Sequence, residues 1–365
     1  MGNPLFSFDY ICKKFVWMTW KDKWFRRLIV INFILIFVVI LAGSIVRVTE
    51  SGMGCPDWPK CFGALIPPIS QDQVTWHSGD SYFEGQMIIH EEKLFTANTD
   101  ISSSDNFDLN QWNEYTKHDY AVYNPLHTWV EFINRLATVA LGFPVMAMFF
   151  LSLLYWNKDK LHILLAFSVV FLVGFQAFLG KLVVDSNLQG QTITIHMIGV
   201  FAILAVLILM YNRTFMDRLN KYIASSSFRK LAIASLVLTF VMVIVGTQVR
   251  EQIDEIAKMD ILRSEWINRV GFIFVIHRSL IWLVIGLNGY LMFQAIKNEW
   301  YKSHWIKIAG VVIAQALIGI VFSYFGFPKV AQPLHLILSA VLFAIQFDLV
   351  VKLYTRVDKE GIFVK

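Results

Sequence analysis

The sequence predicts an all-α polytopic membrane protein whose eight transmembrane helices form two pseudo-symmetric four-helix bundles. Three observations carry this prediction. Hydrophobic residues make up 56% of the 365 and charged residues only 16%, a balance that excludes an ordinary soluble enzyme. Apolar runs long enough to cross a bilayer, about 20 residues each, recur along the chain. The second half of the chain also repeats the polar landmarks of the first.

The first run, 28–47, follows the basic segment 1–27. It is too long for a cleavable signal peptide and no small-residue cleavage site fits it, so it reads as a span. Segment 48–126 is the only long non-membrane stretch and carries 12 acidic and 3 basic residues, which predicts an acidic outer lobe. Spans at 127–154, 161–180 and 192–211 complete a first bundle over 28–211. A linker, 212–230, leads to spans at 231–249, 271–294, 306–325 and 332–353, the second bundle, and then to a tail, 354–365.

Lys and Arg set the orientation. The terminal side of the eight spans carries 19 of them and the opposite loops 9. Both termini are therefore expected in the cytoplasm, which in a bacterial cell places the chain in the inner membrane. This bias explains the net charge of +5 and leaves no need for a nucleic-acid partner; the partner implied is membrane lipid.

That orientation puts Cys55 and Cys61, in VTESGMGCPDWPKCFG (48–63), outside, in a compartment that permits disulfides. Two readings stand at this point: a structural disulfide pinning the loop to the membrane surface, or a redox relay. Zinc is disfavoured, because two thiols stand without a His at ligand spacing. Cys12 is cytoplasmic and has no partner.

The repeat is read from four correspondences. LAGSIVR (41–47) ends helix one as VIVGTQVR (243–250) ends helix five. EFINRLATVALG in helix two matches FVIHRSLIWLVIG in helix six, pairing Asn134-Arg135 with His277-Arg278. Gln176 matches Gln315 and His196 matches His335, both at an offset of 139 residues. An even number of helices per unit gives both units the same orientation, so the pseudo-two-fold axis runs along the membrane normal.

Of nine His, three lie in the outer loop (His77, His90, His118) and two at cytoplasmic ends (His162, His304); these read as solvated or interfacial. His127, at the outer start of helix two, reads as interfacial. His196, His277 and His335 lie within apolar runs, where a titratable group is costly and usually faces the bundle interior. A satisfied core hydrogen bond accounts for one such His more easily than for three at repeated positions. Counting along their helices, Asn134, His196, His277 and His335 lie roughly 5–11 Å below the outer surface. Two imidazoles facing across a bundle suit a six-coordinate haem, and without C-x-x-C-H that haem is not covalently attached. Arg47, Arg250 and Arg278 are placed to pair with its propionates.

The first half differs. Asn is a poor iron ligand, so a haem there has His196 alone and one open position. Glu131 lies three residues before Asn134 on the same helix face. Its presence in the membrane points to chemistry, or to an i,i+4 pair with Arg135 that neutralises both charges. Helix six has Phe274 at the matching place. The asymmetry assigns chemistry to one half and a cofactor to the other.

The G-S-I-V-R-x-T-x-S-G-x-G-C-P-D-W-P-x-C element, the duplicated bundles and the membrane His positions resemble the haem A synthase family, over nearly the whole chain except much of 64–126. The resemblance implies an oxidoreductase that converts haem O to haem A for cytochrome oxidase by oxidising a ring methyl to a formyl group. It implies haem b between His277 and His335, beside Arg278. It further implies a haem O substrate site with His196, Asn134 and Arg135, a catalytic Glu131, and a Cys55–Cys61 disulfide. Its implied partners are an electron donor and the enzyme that makes haem O. The chain departs from the family at Asn134, where a His is common, and its segment 64–126 is longer than expected. The competing classes are a quinol-linked haem b electron-transfer protein, which uses the same His pair, and a transporter, which predicts no bound haem.

Overall fold

The computed structural model describes residues 20–116, 122–186, 188–214, 224–259 and 261–355. Cys12, His118, and most of the N-terminal segment and the tail lie outside the described residues, as does the middle of the linker. Among the described residues, eight helices are long and apolar enough to cross a membrane. They are α1 (Trp20–Val48), α2 (Pro125–Ser152), α3 (Lys160–Asp185), α4 (Gly190–Thr214), α5 (Ser226–Ala257), α6 (Phe272–Lys297), α7 (Lys302–Tyr324) and α8 (Ala331–Tyr354).

Each predicted span lies inside one of these helices or overruns it by a residue or two. The helices extend past the apolar runs because polar residues cap them. Asn124 accepts from the backbone N–H of Leu126 and His127, ahead of a Pro at the first position of α2, where its missing N–H costs nothing. Asp159 caps α3 and Ser225 caps α5. Helix α5 runs on to Ala257, eight residues past the predicted end at 249.

The packing gives two closed rings. Helices α1–α2–α3–α4 close on themselves, as do α5–α6–α7–α8. The rings meet through α4 against α8, flanked by α1 on α8 and by α4 on α5. The flanking contacts are counterparts under the repeat, as a pseudo-two-fold axis between the rings requires. In lipid no water exclusion drives helices together, so close packing carries the interface. Phe201 and Phe343 meet edge-on there, with ring centroids 4.9 Å apart.

The outer segment adds a small β lobe that the sequence patterns do not announce. Strands β2 (Met87–His90) and β3 (Lys93–Ala97) form a hairpin extended by β5 (Trp112–Glu114), while β1 (Ser81–Tyr82) pairs with β4 (Ile101–Ser102). Glu91 and Glu92 form the two-residue hairpin loop with φ of 48° and 62°, the doubly positive φ of a type I′ turn. Ile88, Phe95 and Trp112 fill the core of the lobe. His90 stacks on Phe107 at 4.1 Å, and His77 pairs with Asp72.

At the other end of the molecule, His162 is buried rather than solvated. Its Nδ1 lies 2.7 Å from Asp159, its ring stacks on Tyr155, and Arg213 binds the same carboxylate. Burial works to raise the Asp159 carboxyl, but Arg213 and His162 hold it below its ordinary value.

Candidate haem sites

His277 on α6 and His335 on α8 line one cavity of about 710 Å³ in the second ring, within the size range of cofactor pockets. The Nδ1 atoms of both are buried without a hydrogen-bond partner, so each ring carries unspent polar capacity in an apolar setting. Gly246 on α5 makes room for His277: a Cβ there would sit 3.2 Å from Cε1 of the imidazole. Gln315 on α7 braces His335 from behind, donating to its carbonyl at 2.9 Å and to Ser339 at 2.8 Å. Three lining residues are arginines, Arg47, Arg250 and Arg278, and no lining residue is acidic. The cavity therefore suits a largely apolar ligand that carries carboxylates.

In the first ring Asn134 stands in the same relation to its neighbouring glycine as His277 does in the second. Gly43 on α1 faces Asn134 as Gly246 faces His277, with an added Cβ 3.6 Å from Asn134 Oδ1. Gly180 on α3 faces His196, with an added Cβ 3.7 Å from Cε1. The Nδ1 of His196 is also buried and unpartnered. Asn134 thus occupies the place of His277, as the sequence repeat predicts. The backing glycines are visible in the aligned motifs, but their role needs the packing.

Glu131 is placed differently from a free catalytic acid. It is buried, accepts a hydrogen bond from the Cys55 backbone N–H at 2.9 Å, and pairs with Arg135. Arg135 in turn donates to the carbonyls of Asp57 and Lys60, each at 2.9 Å. The i,i+4 pair that the spacing allows is therefore present, and it also holds the cysteine loop on α2. Cys55 and Cys61 form the expected disulfide, and both are buried. Thr128 adds a hydrogen bond to the Gly54 carbonyl at 2.8 Å. Burial pushes the Asp57 carboxyl up, against the Gly63 and Phe62 backbone bonds and the charge of Arg135.

Gly54 lies so close to α2 that an added Cβ would collide with the His127 carbonyl and the Thr128 nitrogen. Backbone atoms cannot swing aside, so Gly54→Ala is expected to lift the loop. Faster reduction of the disulfide by a membrane-impermeant phosphine, relative to the parent protein, checks this.

One polar node was not foreseen from the sequence. Arg47 and Arg250, equivalent under the repeat, both bind Asp254, each at 2.7 Å. This bridge ties α1 to α5, and Arg250 also bonds Gln332. Arg278, by contrast, is exposed and lies over Phe274. An i,i+4 Arg250–Asp254 pair is legible in principle, once helix five is carried past residue 249.

Residues 26–347 match the COX15-CtaA family, described as cytochrome oxidase assembly protein. The Heme A synthase of Shewanella oneidensis is 28% identical over 214 residues, 58% of this chain and 52% of that protein. That match spans about half the length of the relative. The Heme A synthase of Beijerinckia indica subsp. indica is 22% identical over 336 residues, 83% of this chain and 85% of that protein.

Proposed function

The chain belongs to the COX15-CtaA family of cytochrome oxidase assembly proteins, and from that premise we propose that it is a haem A synthase. In this reading it is an oxidoreductase of the bacterial inner membrane, with cytoplasmic termini. Its substrate is haem O. Two successive hydroxylations of one ring methyl, each consuming dioxygen, two electrons from the donor and two protons and releasing one water, give a geminal diol, which loses water to leave the formyl group of haem A.

The observation that supports this reading best is the asymmetry of two equivalent sites. One has His277 facing His335 across a cavity; the other has Asn134 where the counterpart has His277. The second ring fits haem b. His277 and His335 would hold it, and Arg47 and Arg250, which also share Asp254, together with the exposed Arg278 would meet its carboxylates. When bound, haem b supplies one-electron transfer.

The first ring takes haem O as substrate, and His196 would be the protein side chain that holds it. Asn134 borders the same site without ligating iron. Arg135 serves it indirectly, since its donors hold the cysteine loop and Glu131. Glu131 is the one acid of α2, three residues before Asn134, and we assign it the orientation or protonation of the reacting group. Its two oxygens also fix the loop that roofs that end of the helix. The electron donor and the enzyme that makes haem O are the partners this reaction calls for. A quinol-linked electron-transfer protein would use His277 and His335 but leaves the asymmetry without a role, and the family match does not favour it.

Acid extraction of the purified protein, with chromatography and mass spectrometry of the pigments, tests the proposal. Haem b together with haem O, haem A or a hydroxylated intermediate is the expected result. Haem b alone would favour simple electron transfer. No haem, after expression with ample haem supply, would overturn both readings.

A further inference from the structure

The longest uncharged stretch of the acidic outer segment runs from Cys61 to Gln71 and reads CFGALIPPISQ. Within it Leu65, Ile66 and Ile69 are 77%, 70% and 68% exposed. Three large aliphatic side chains so exposed within five residues are not a feature of a water-facing loop. Their position is fixed by two hydrogen bonds to one carbonyl. Pro68 accepts from the Tyr123 hydroxyl at 2.7 Å and from the Trp129 indole N–H at 3.2 Å.

Trp129 identifies what lies beside them. It is the fifth residue of α2, about 6 Å down the helix from its start. It falls in the stripe of Leu126, Ile133, Leu136, Val139 and Phe143, all more than half exposed, at the three- and four-residue spacing of one helix face. In a membrane-spanning helix that stripe faces lipid. The Leu65–Ile69 loop is therefore hung on the lipid-facing side of α2, beside its first turn, and continues the apolar surface of the stripe.

We propose that Leu65, Ile66 and Ile69 insert into the leaflet on the lobe's side of the membrane, as a wedge that seats the β lobe against α2. The occupant of this surface is lipid acyl chain. The chemistry fits the rest of the lobe. An acidic body is repelled by anionic headgroups and needs an apolar anchor to lie on the surface. The anchor is also tied to the cysteine loop, since Tyr123 meets Phe62 edge-on, next to Cys61. Lipid contact thus reaches the loop that Glu131 and Arg135 hold.

The test is nitroxide accessibility in the full chain, reconstituted in lipid nanodiscs. Labels are placed singly by Leu65→Cys, Ile66→Cys and Ile69→Cys in a Cys12→Ser background. All three side chains are exposed, so substitution does not disturb the core. Ile133→Cys provides the lipid-facing reference and Ser104→Cys the aqueous one. The expected result is that labels at 65, 66 and 69 collide preferentially with oxygen over a water-soluble nickel chelate, as at 133. Preference for the chelate, as at 104, would overturn the proposal. Low collision with both reagents would also overturn it, because it would put a protein, a second copy or another partner, on this surface.

Discussion

His335→Ala yields a protein that has lost the low-spin spectrum of a bis-His haem, with haem b depleted from the purified sample. His335 sits on α8 with its backbone braced by Gln315 and Ser339, so the helix turn survives the loss of the ring. What disappears is a ligand inside a cavity of about 710 Å³. Loss of a partner in the outer coordination shell already costs roughly 10–100-fold in metal affinity, and loss of the ligand itself sets that as a lower bound. His277→Ala gives the same result from the opposite wall. Asn134→Ala is the control: it removes the equivalent side chain in the first ring and leaves the haem b spectrum in place. Haem content unchanged in both His variants would remove the pair from the assignment.

The residues behind this prediction were legible because they obey periodic rules. Hydropathy located all eight spans, since a bilayer demands long uninterrupted apolar runs. The shared offset of Gln176/Gln315 and His196/His335 relates helices three and four to helices seven and eight, and the glycines packed against Asn134 and His277 bear out the separate pairing of helices two and six. The rest was set by tertiary contacts. The β2–β3 hairpin turns on Glu91-Glu92 at positive φ, without the Asn-Gly or Asp-Gly that announces a type I′ turn. A hairpin held by an aromatic core can impose that conformation on residues that do not favour it. Asp254 is not legible from hydropathy because the apolar run of helix five ends at 249, whereas the helix continues on polar residues to Ala257. The environment of Glu131 was half legible. Arg135 at i+4 follows from spacing, whereas the Cys55 N–H reaches Glu131 across 76 residues of sequence and no local pattern predicts that.

Glu131 is where the second large effect is expected, and two substitutions separate its structural role from its chemical one. Glu131→Ala removes the acceptor of the Cys55 N–H and the counter-ion of Arg135 together. Breaking a buried pair from one side costs about 3–5 kcal/mol, so this variant is expected to lose both haem A formation and a firmly seated cysteine loop. It is expected to keep haem b, whose ligands lie in the other ring. Glu131→Gln preserves shape and leaves one carbonyl oxygen for the Cys55 N–H, while Arg135 keeps its bonds to Asp57 and Lys60. The loop should then stay in place, read as parent-like resistance of the disulfide to an impermeant phosphine. If the carboxylate takes or gives a proton in the reaction, Gln fails at that step even with the loop intact. The turnover of haem O then falls by the roughly 10²–10⁴-fold typical of a lost general acid or base. Parent-like turnover in Glu131→Gln, with loss confined to Glu131→Ala, would make Glu131 a positioning residue that acts through Cys55 and the loop. Full activity in both would remove it from the mechanism altogether.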